Sequence, residues 1–465
     1  MELDRFKNHD KEIRTAVLRY EKISRSGTMQ YIDIDEMEVV IDFYLEENDL
    51  ESVEHAIVYA ENLFPNSNEI KLRRAHMYSI QGNQHAAMSL LKKIAEVEPD
   101  NTDVKYAMGL VYGMLGQSQK AIQYYQLASV DGCELGLLYG NIADEYYKLG
   151  QNEKAILYYK KSISINPEEE RSMYNLLCVY EDNDLNDEAI EYFKRQTEEH
   201  PYSLCAWIAY GRSCANLCLW EKAIDAFEYA LVIDKSMSQT YYCLCDAYRH
   251  SGNTAKAVEI LHESLDYAED RSWVYYSIGM LYMESGNLSS AIVYFRNTVH
   301  EDPYFGDAWQ VLGICYAEEG DIYTAIDMTE RAISVNPQSA LYMKQVANLY
   351  DRIDETDKAD SLYQYALHLN ETSDECWIEY SDFLMHHNRF DEAINILEKG
   401  VVAAMYQHPF NLRLAMCHYK IGNRNYLFNA LRACLADPEF NEQELFSMCP
   451  EMEDDYEVVS IINSK

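Results

Sequence analysis

The sequence predicts an all-α fold: an α-solenoid of about eleven to twelve helix–turn–helix units stacked one on the next. Two observations carry this. Alanine recurs at a constant interval of thirty-four positions, at Ala87, Ala121, Ala155, Ala189, Ala223, Ala257, Ala291, Ala325, Ala359 and Ala393, and Val53 takes the same place one unit earlier. Tyrosine keeps step at Tyr44, Tyr78, Tyr112, Tyr146, Tyr180, Tyr248, Tyr282, Tyr316 and Tyr350, with Cys214 and Leu384 filling the gaps. No insertion or deletion breaks this register between Ile34 and Gln407, a span of eleven such units. A fixed period of this length is the mark of a stacked array rather than of a single globule.

The physical cause is visible inside one unit, Gly306 to Ser339. Trp309, Leu312, Gly313 and Tyr316 recur at helical spacing and form one apolar stripe. Gly320 and Asp321 then break the helix, as glycine does just past a helix C-terminus. A second helix is expected from about Ile322 to Val335, with Ala325 and Ala332 on its inner face. Asn336 and Pro337 end it, since proline cannot continue a helix. Alanine leaves room where the helices approach closely, and tyrosine fills the space beside it. Two antiparallel helices cannot bury their own apolar faces, so each pair must stack on the next.

These positions resemble the tetratricopeptide repeat family. Its pattern of Trp, Leu-Gly, Tyr, Gly, Ala, aromatic, Ala and Pro is met by Trp309, Leu312-Gly313, Tyr316, Gly320, Ala325, Ala332 and Pro337, with Thr329 alone departing. Other units place Tyr125, Tyr159, Phe193, Phe227, Phe295 or Tyr363 where Thr329 stands. The closing proline appears as Pro65, Pro99, Pro167, Pro201, Pro303 and Pro337, and gives way elsewhere to Cys133, Lys235, Glu269, Glu371 and Met405. The match covers about four fifths of the chain. It implies a right-handed superhelix whose first helices line a concave groove, and a non-enzymatic scaffold that holds a peptide or partner protein there.

The ends differ from the middle. Residues 1–33 are expected to form an N-terminal capping region with one helix near Lys11–Ile23, followed by the eleven units over 34–407. Residues 408–438 read as a degenerate twelfth unit that keeps Leu414-Ala415 and Gly422 but has His418 for Tyr and Leu427 for Ala. Residues 439–465 read as an acidic C-terminal cap, with Leu445, Phe446, Val458, Ile461 and Ile462 around Glu451–Asp455.

Composition narrows the partners. Lys and Arg number 39 against 78 Asp and Glu, a formal net charge of −39. Such a surface repels nucleic acid, whose binding depends on cationic neutralisation of phosphates. It keeps a large exposed surface in solution, and a basic partner would be attracted. No run of about 18 apolar residues occurs, so membrane insertion is not expected. The N-terminal residues are charged throughout and lack a signal-like apolar stretch. The 12 cysteines fall mostly within apolar helical stretches, which suits reduced thiols and a cytoplasmic location.

No Gly-rich phosphate loop, HExxH or GxSxG is present, and no cofactor is implied. Cys214, Cys218, Cys243 and Cys245 offer a metal or thiol site. Against that, Cys214 occupies the tyrosine row and Cys245 the small-residue row, where buried cysteine acts as a small hydrophobe. His386-His387 read as a solvated helix end.

The resemblance directs attention to the groove-lining places of each unit. They supply Tyr106, Tyr147, Tyr174, Tyr242, Tyr276 and Tyr419, and tyrosine suits peptide recognition at low entropic cost. They also supply Asn141, Asp144, Lys148, Arg171, Asn175, Arg212, Asn216, Asp246 and Arg249. The four cations could hold an acidic ligand, or could pair with Asp144, Asp182 and Asp246. Likewise the tyrosines could face a ligand or pack between units. The carboxylate clamp of chaperone-binding repeats has its nearest fit in Lys344, Asn348, Glu379, Pro409 and Arg413, where Glu379 would repel a ligand carboxylate. The asparagine ladder of glycosyltransferase superhelices is matched only at Asn141 and Asn175. Partners are thus a protein or peptide, with self-association as the alternative.

Overall fold

The computed structural model describes residues 11–25, 29–128, 135–369, 374–403, 407–437 and 440–463, and among these it holds helices and turns without a strand. Cys133, Glu371 and Met405, three of the residues standing in for the closing proline, lie outside the described residues.

The chain forms two compact units, Met1–Ser251 and Gly252–Lys465. In the first, α1 (Lys11–Arg25) precedes α2 (Ile34–Glu46), α3 (Leu50–Leu63), α4 (Asn68–Ile80), α5 (Gln84–Val97), α6 (Thr102–Met114), α7 (Ser118–Ala128), α8 (Leu135–Lys148), α9 (Asn152–Ile165), α10 (Glu170–Asp182), α11 (Asn186–Glu199), α12 (Leu204–Asn216), α13 (Trp220–Ile233) and α14 (Ser238–His250). The second holds α15 (Thr254–Ser264), α16 (Arg271–Glu284), α17 (Leu288–Glu301), α18 (Gly306–Glu319), α19 (Ile322–Val335), α20 (Ala340–Asp351), α21 (Thr356–Leu369), α22 (Asp374–His386), α23 (Phe390–Ala403), α24 (His408–Lys420), α25 (Arg424–Leu435), α26 (Glu442–Met448) and α27 (Tyr456–Ile462), with a 3-10 turn at Pro450–Met452. Within each unit, successive helices pack in antiparallel pairs and the pairs stack: an all-α solenoid.

One residue per repeat makes the pairing possible. Asn48, Gly82, Gly116, Gly150, Asp184, Cys218, Gly252, Gly286, Gly320, Asp354, Asn388 and Gly422 all have φ between 54° and 90°. They keep the same interval as the alanines, so the left-handed turn recurs just as strictly. The next amide closes the turn on the tyrosine row: Asn83 donates to the Tyr78 carbonyl at 2.8 Å, Gln117 to Tyr112 at 2.9 Å and Asp321 to Tyr316 at 2.9 Å. This is the six-residue closure of a Schellman motif. Where that next residue is Asn or Asp, its side chain also caps the second helix, as Asp49 does for Ser52 and Asp321 for Thr324.

The rows read from the sequence are the core. Every alanine of the recurring series is at most 1% exposed, and Val53 is fully buried. One place after the first-helix row that holds Leu312, small residues face the second-helix aromatics. A Cβ on Gly109 would stand 2.6 Å from the Tyr125 ring, on Gly211 2.5 Å from Phe227, and on Gly279 2.6 Å from Phe295. Thr329 departs from the aromatic pattern because its surroundings are polar. Its hydroxyl donates to the Ala325 carbonyl at 2.9 Å and accepts from Gln345 Nε2 at 3.3 Å. The tyrosine row is less uniform than expected: Tyr44, Tyr180 and Tyr248 are buried, whereas Tyr112, Tyr146 and Tyr282 are half-buried. The last three pack on Tyr124, Tyr158 and Tyr294 at centroid distances of 5.2, 5.4 and 5.4 Å.

At the N-terminal side α1 buries Val17, Tyr20 and Ile23 in one core with Val40, Tyr44 and Val53. In the second unit Leu445, Cys449, Met452, Val458 and Ile462 join the core formed by α24 and α25. Lys420 Nζ reaches Glu451 at 2.7 Å, and Arg424 reaches Asp455 at 2.6 Å. His418 is buried in the tyrosine place and stacks on Tyr426, and burial lowers its pKa. Leu427 is fully buried in the alanine place.

Candidate binding surface on the first helices

The polar places of the first helices bond to one another from one helix pair to the next. Two spacings recur. At 31 residues, Arg73 donates through Nε and Nη2 to Asp42 at 2.8 and 2.6 Å, and Asn175 donates to Asp144 at 2.9 Å. In the second unit Asn348 donates to Glu379 at 2.9 Å, and Arg413 grips Asp382 with two bonds of 2.7 Å. At 35 residues, Asn141 donates to the Tyr106 hydroxyl at 2.8 Å, Tyr147 to Asp182, and Asn216 to Glu181 at 2.6 Å. Gln310 meets Gln345 at 2.8 Å and Lys344 meets Glu379 at 2.9 Å in the same way. Set against the repeat interval, these two spacings mean three places back or one place on along the neighbouring first helix. Charged and amide groups there satisfy one another, as groups with restricted access to water must.

The four cations named from the sequence are paired. Arg171 donates to Asn141 at 3.1 Å and to Asp144, and Arg249 donates to Asp246 at 3.1 Å. The other two take acids different from those expected. Lys148 holds Glu145 at 2.6 Å, three residues back on its own helix. Arg212 stands 3.7 Å from Glu181, while Asp182 is taken by the Tyr147 hydroxyl.

The tyrosines divide. Tyr106 is half-buried with its ring 5.8 Å from Tyr125. Tyr276 packs among Phe305, Phe295 and Trp273 at 4.9, 5.7 and 5.8 Å, and burial raises its pKa. Tyr242 is half-buried on α14. Tyr419 donates to the Glu451 carbonyl at 3.0 Å. Tyr174 is different: it is 53% exposed, and the Arg212 guanidinium lies 5.1 Å above its ring.

Beside Tyr174 the surface opens into a small cavity of ≈ 70 Å³, lined by Glu170, Met173, Tyr174, Leu177, Cys205, Ile208, Ala209, Arg212 and Met237. Its floor is apolar, drawn from α10, α12 and the residue before α14. Its rim carries one acid and one base. Burial, with Glu168 adding to it, pushes the Cys205 thiol up to about 11, so it is an apolar wall rather than a nucleophile. Of the sequence-derived residues the structure thus brings Tyr174 and Arg212 together here. Tyr147, Asn175 and Asn216 belong to the neighbouring rungs, and Tyr276 belongs to the other unit. Met173, Leu177, Ile208 and Met237 were not singled out by the sequence, where an apolar residue on a helix reads as core. Met237 did leave a signal: it precedes α14 in the place where Ser203 and Ser339 cap α12 and α20, and it makes no cap.

The cysteine cluster resolves into ordinary places. Cys214 and Cys245 are buried, and Cys218 is exposed at the left-handed turn. Burial raises the pKa of Cys214 and Cys243. The clamp-like group in the second unit is filled from within. Glu379 does not repel a ligand but occupies the carboxylate place itself, bonded by Lys344 and Asn348, and Glu375 adds a second contact to Lys344 at 3.1 Å. The histidines are more than a solvated helix end: His387 is half-buried, with Nε2 2.6 Å from Asp351 Oδ1.

Models of the tetratricopeptide repeat match residues 137–169, 170–201, 274–298 and 306–339. No curated protein matches the chain. Among solved structures, YrrB, a TPR protein with an unusual peptide-binding site, is 19% identical and covers 39% of this chain and 94% of its own, with a TM-score of 0.32. The C-terminal part of a TPR repeat-containing protein from Cytophaga hutchinsonii is 17% identical and covers 50% of this chain and 96% of its own, at 0.42. The Cut9–Hcn1 hetero-tetramer gives 13% identity, 90% and 93% coverage, and 0.36. With TM-scores this low, these likenesses imply nothing about what this chain binds. Repeat models matching at four places, in a chain whose paired helices keep one unbroken register, show that this protein carries tetratricopeptide repeats.

Proposed function

We propose that this chain is a non-enzymatic interaction scaffold that grips an extended peptide segment of a partner protein at the Tyr174–Arg212 surface. The apolar cavity beside an exposed tyrosine capped by an arginine carries the reading. Elsewhere the polar places bond to one another across neighbouring helices. Here Arg212 has only a loose contact with Glu181, and the apolar cavity of ≈ 70 Å³ has room for a small aliphatic group. A peptide that places Ala, Val or Pro in the cavity and a carboxylate beside Arg212 would bury Tyr174 and gain a charge-assisted bond.

Selection from a random peptide library on the full chain tests this. The expected outcome is enrichment of sequences pairing a small aliphatic residue with a nearby acid, with binding weakened at least about tenfold by Tyr174→Ala or by Ile208→Trp, the range of an interface hot spot. Enriched peptides that bind the Ile208→Trp and Arg212→Glu chains as tightly as the unaltered one would overturn it.

A further inference from the structure

We propose that Asp351, His386 and His387 form a binding site for a divalent metal ion of the zinc type in the second unit. Asp351 ends α20, His386 ends α22 and His387 follows it, so two adjacent first helices converge on one point. One donor atom from each of the three residues can be chosen so that all lie within 4.8 Å of one another. His387 Nε2 is 2.6 Å from Asp351 Oδ1, and His386 Nδ1 is 3.9 Å from Oδ2.

A tetrahedral zinc with bonds of about 2.0–2.2 Å sets its donors about 3.4 Å apart. Reaching that spacing asks the His387–Asp351 pair to open by under about 1 Å and the other donor separations, all within 4.8 Å, to close by at most about 1.4 Å through movement of the His386 ring. His386 is free to do so, being 75% exposed. His387 is steadier: its ring lies 4.8 Å from Phe383, and its amide donates to the Phe383 carbonyl at 3.2 Å. Asn388 then turns the chain with φ 57°, and the two imidazole rings stand 5.1 Å apart.

Charge favours the same conclusion. Arg413 neutralises Asp382, Lys344 neutralises Glu379 and Arg389 neutralises Asp360. Among the described residues, Asp351 has only the two imidazoles within ion-pair distance. The chain's charge of −39 raises the local concentration of any cation. Two imidazoles with one carboxylate are borderline donors, suited to zinc, cobalt, nickel or copper rather than to magnesium or calcium. Three protein ligands leave a fourth position for water or for a side chain of a bound partner. A metal here would pin α20 to α22 by coordination, where other first-helix pairs are joined by hydrogen bonds.

Titration of the reduced full-length chain with cobalt(II), followed by displacement with zinc(II), tests the site. Nitrogen and oxygen donors give weak visible bands alone, whereas thiolate ligands add an intense near-ultraviolet band, so the cysteines report themselves if they compete. The expected result is one equivalent without the thiolate band. Affinity should drop by at least about tenfold in both His386→Gln and Asp351→Asn, since changes even to outer-shell partners reach that size. Circular dichroism identical to the unaltered chain for His386→Gln, whose side chain is exposed, separates ligand loss from misfolding. No bound equivalent, a thiolate band, or unchanged affinity in His386→Gln overturns the proposal.

Discussion

In the Tyr174–Arg212 surface of the first unit Tyr174 stands at the place that Lys344 takes in the Lys344–Glu379 surface of the second, and Ala209 at the place of Glu379, yet one surface is open and the other is filled. In the first, Arg212 stacks on Tyr174 and meets Glu181 at 3.7 Å, with the two side chains 30% and 29% exposed. In the second, Lys344 is 10% exposed and lies between Glu375 and Glu379 at 3.1 and 2.9 Å. Glu379 also takes the Asn348 amide. The difference comes from which residues stand at the paired places. An acid facing Lys344 closes the surface on itself, whereas apolar residues beside Tyr174 leave a cavity. A repeat scaffold can thus keep its fold constant and set locally whether a surface is satisfied from within or left for a partner.

The sharpest way to break the comparison is Glu379→Ala. It removes the carboxylate shared by Lys344 and Asn348, leaving Glu375 alone against a nearly buried ammonium. Loss of charged hydrogen bonds at such a place costs about 2 kcal/mol, to be read from urea denaturation. The next effect concerns the turns. Gly252 and Gly286 adopt left-handed backbone freely, while Cys218 holds φ 56° with a side chain attached. Cys218→Gly should therefore stabilise the first unit by about 1 kcal/mol in the same measurement. Smaller again is Glu181→Ala, which removes the acid beside Arg212 and Asn216 in the first unit. The partly exposed Arg212 pair should cost under about 1 kcal/mol. Equal losses from Glu379→Ala and Glu181→Ala would erase the distinction between filled and open surfaces.

The smallest effect is a pH dependence at another contact satisfied from within, Lys420–Glu451. Lys420, together with the Cys449 thiol, holds the Glu451 carboxyl down to about 2 from an ordinary 4.5. A depressed carboxyl contributes stability above its ordinary pKa and loses it as the pH falls through the folded value. The melting temperature of the native chain should exceed that of Glu451→Gln at neutral pH. The gap should narrow as the pH falls from about 4.5 to about 2.

Much of the fold was legible because periodicity acts on the backbone. Ala325, Tyr316 and Gly320 have one job per repeat, and in most repeats a single residue type does it. Asp184 and Cys218 hold the same turn without glycine, so only the interval marks them. The surface was harder. Whether Arg212 meets Glu181 or Asp182 turns on which of two adjacent acids points along the neighbouring helix, a matter of side-chain direction that composition does not encode. The rule was nonetheless present as numbers: acid and base 31 residues apart for Asp42–Arg73 and Asp382–Arg413, and partners 35 apart for Lys344–Glu379. The cavity left the weakest trace, a methionine where a cap belongs.

The strict recurrence of the left-handed turn has a consequence for how such a chain can change. Among the described residues the turns close on carbonyls of their own repeats and the rungs reach to the adjacent repeat, so these contacts do not measure the total number of repeats. Duplicating or removing one whole period keeps every turn and every core row in step at the seam, while the polar rungs there meet new partners. Removing one residue fewer leaves each row a place out of step, which swings its side chains about 100° around the helix and mismatches the two flanking cores. Length in this molecule is therefore a counted quantity, free to vary in whole repeats and held rigid to the single residue within one.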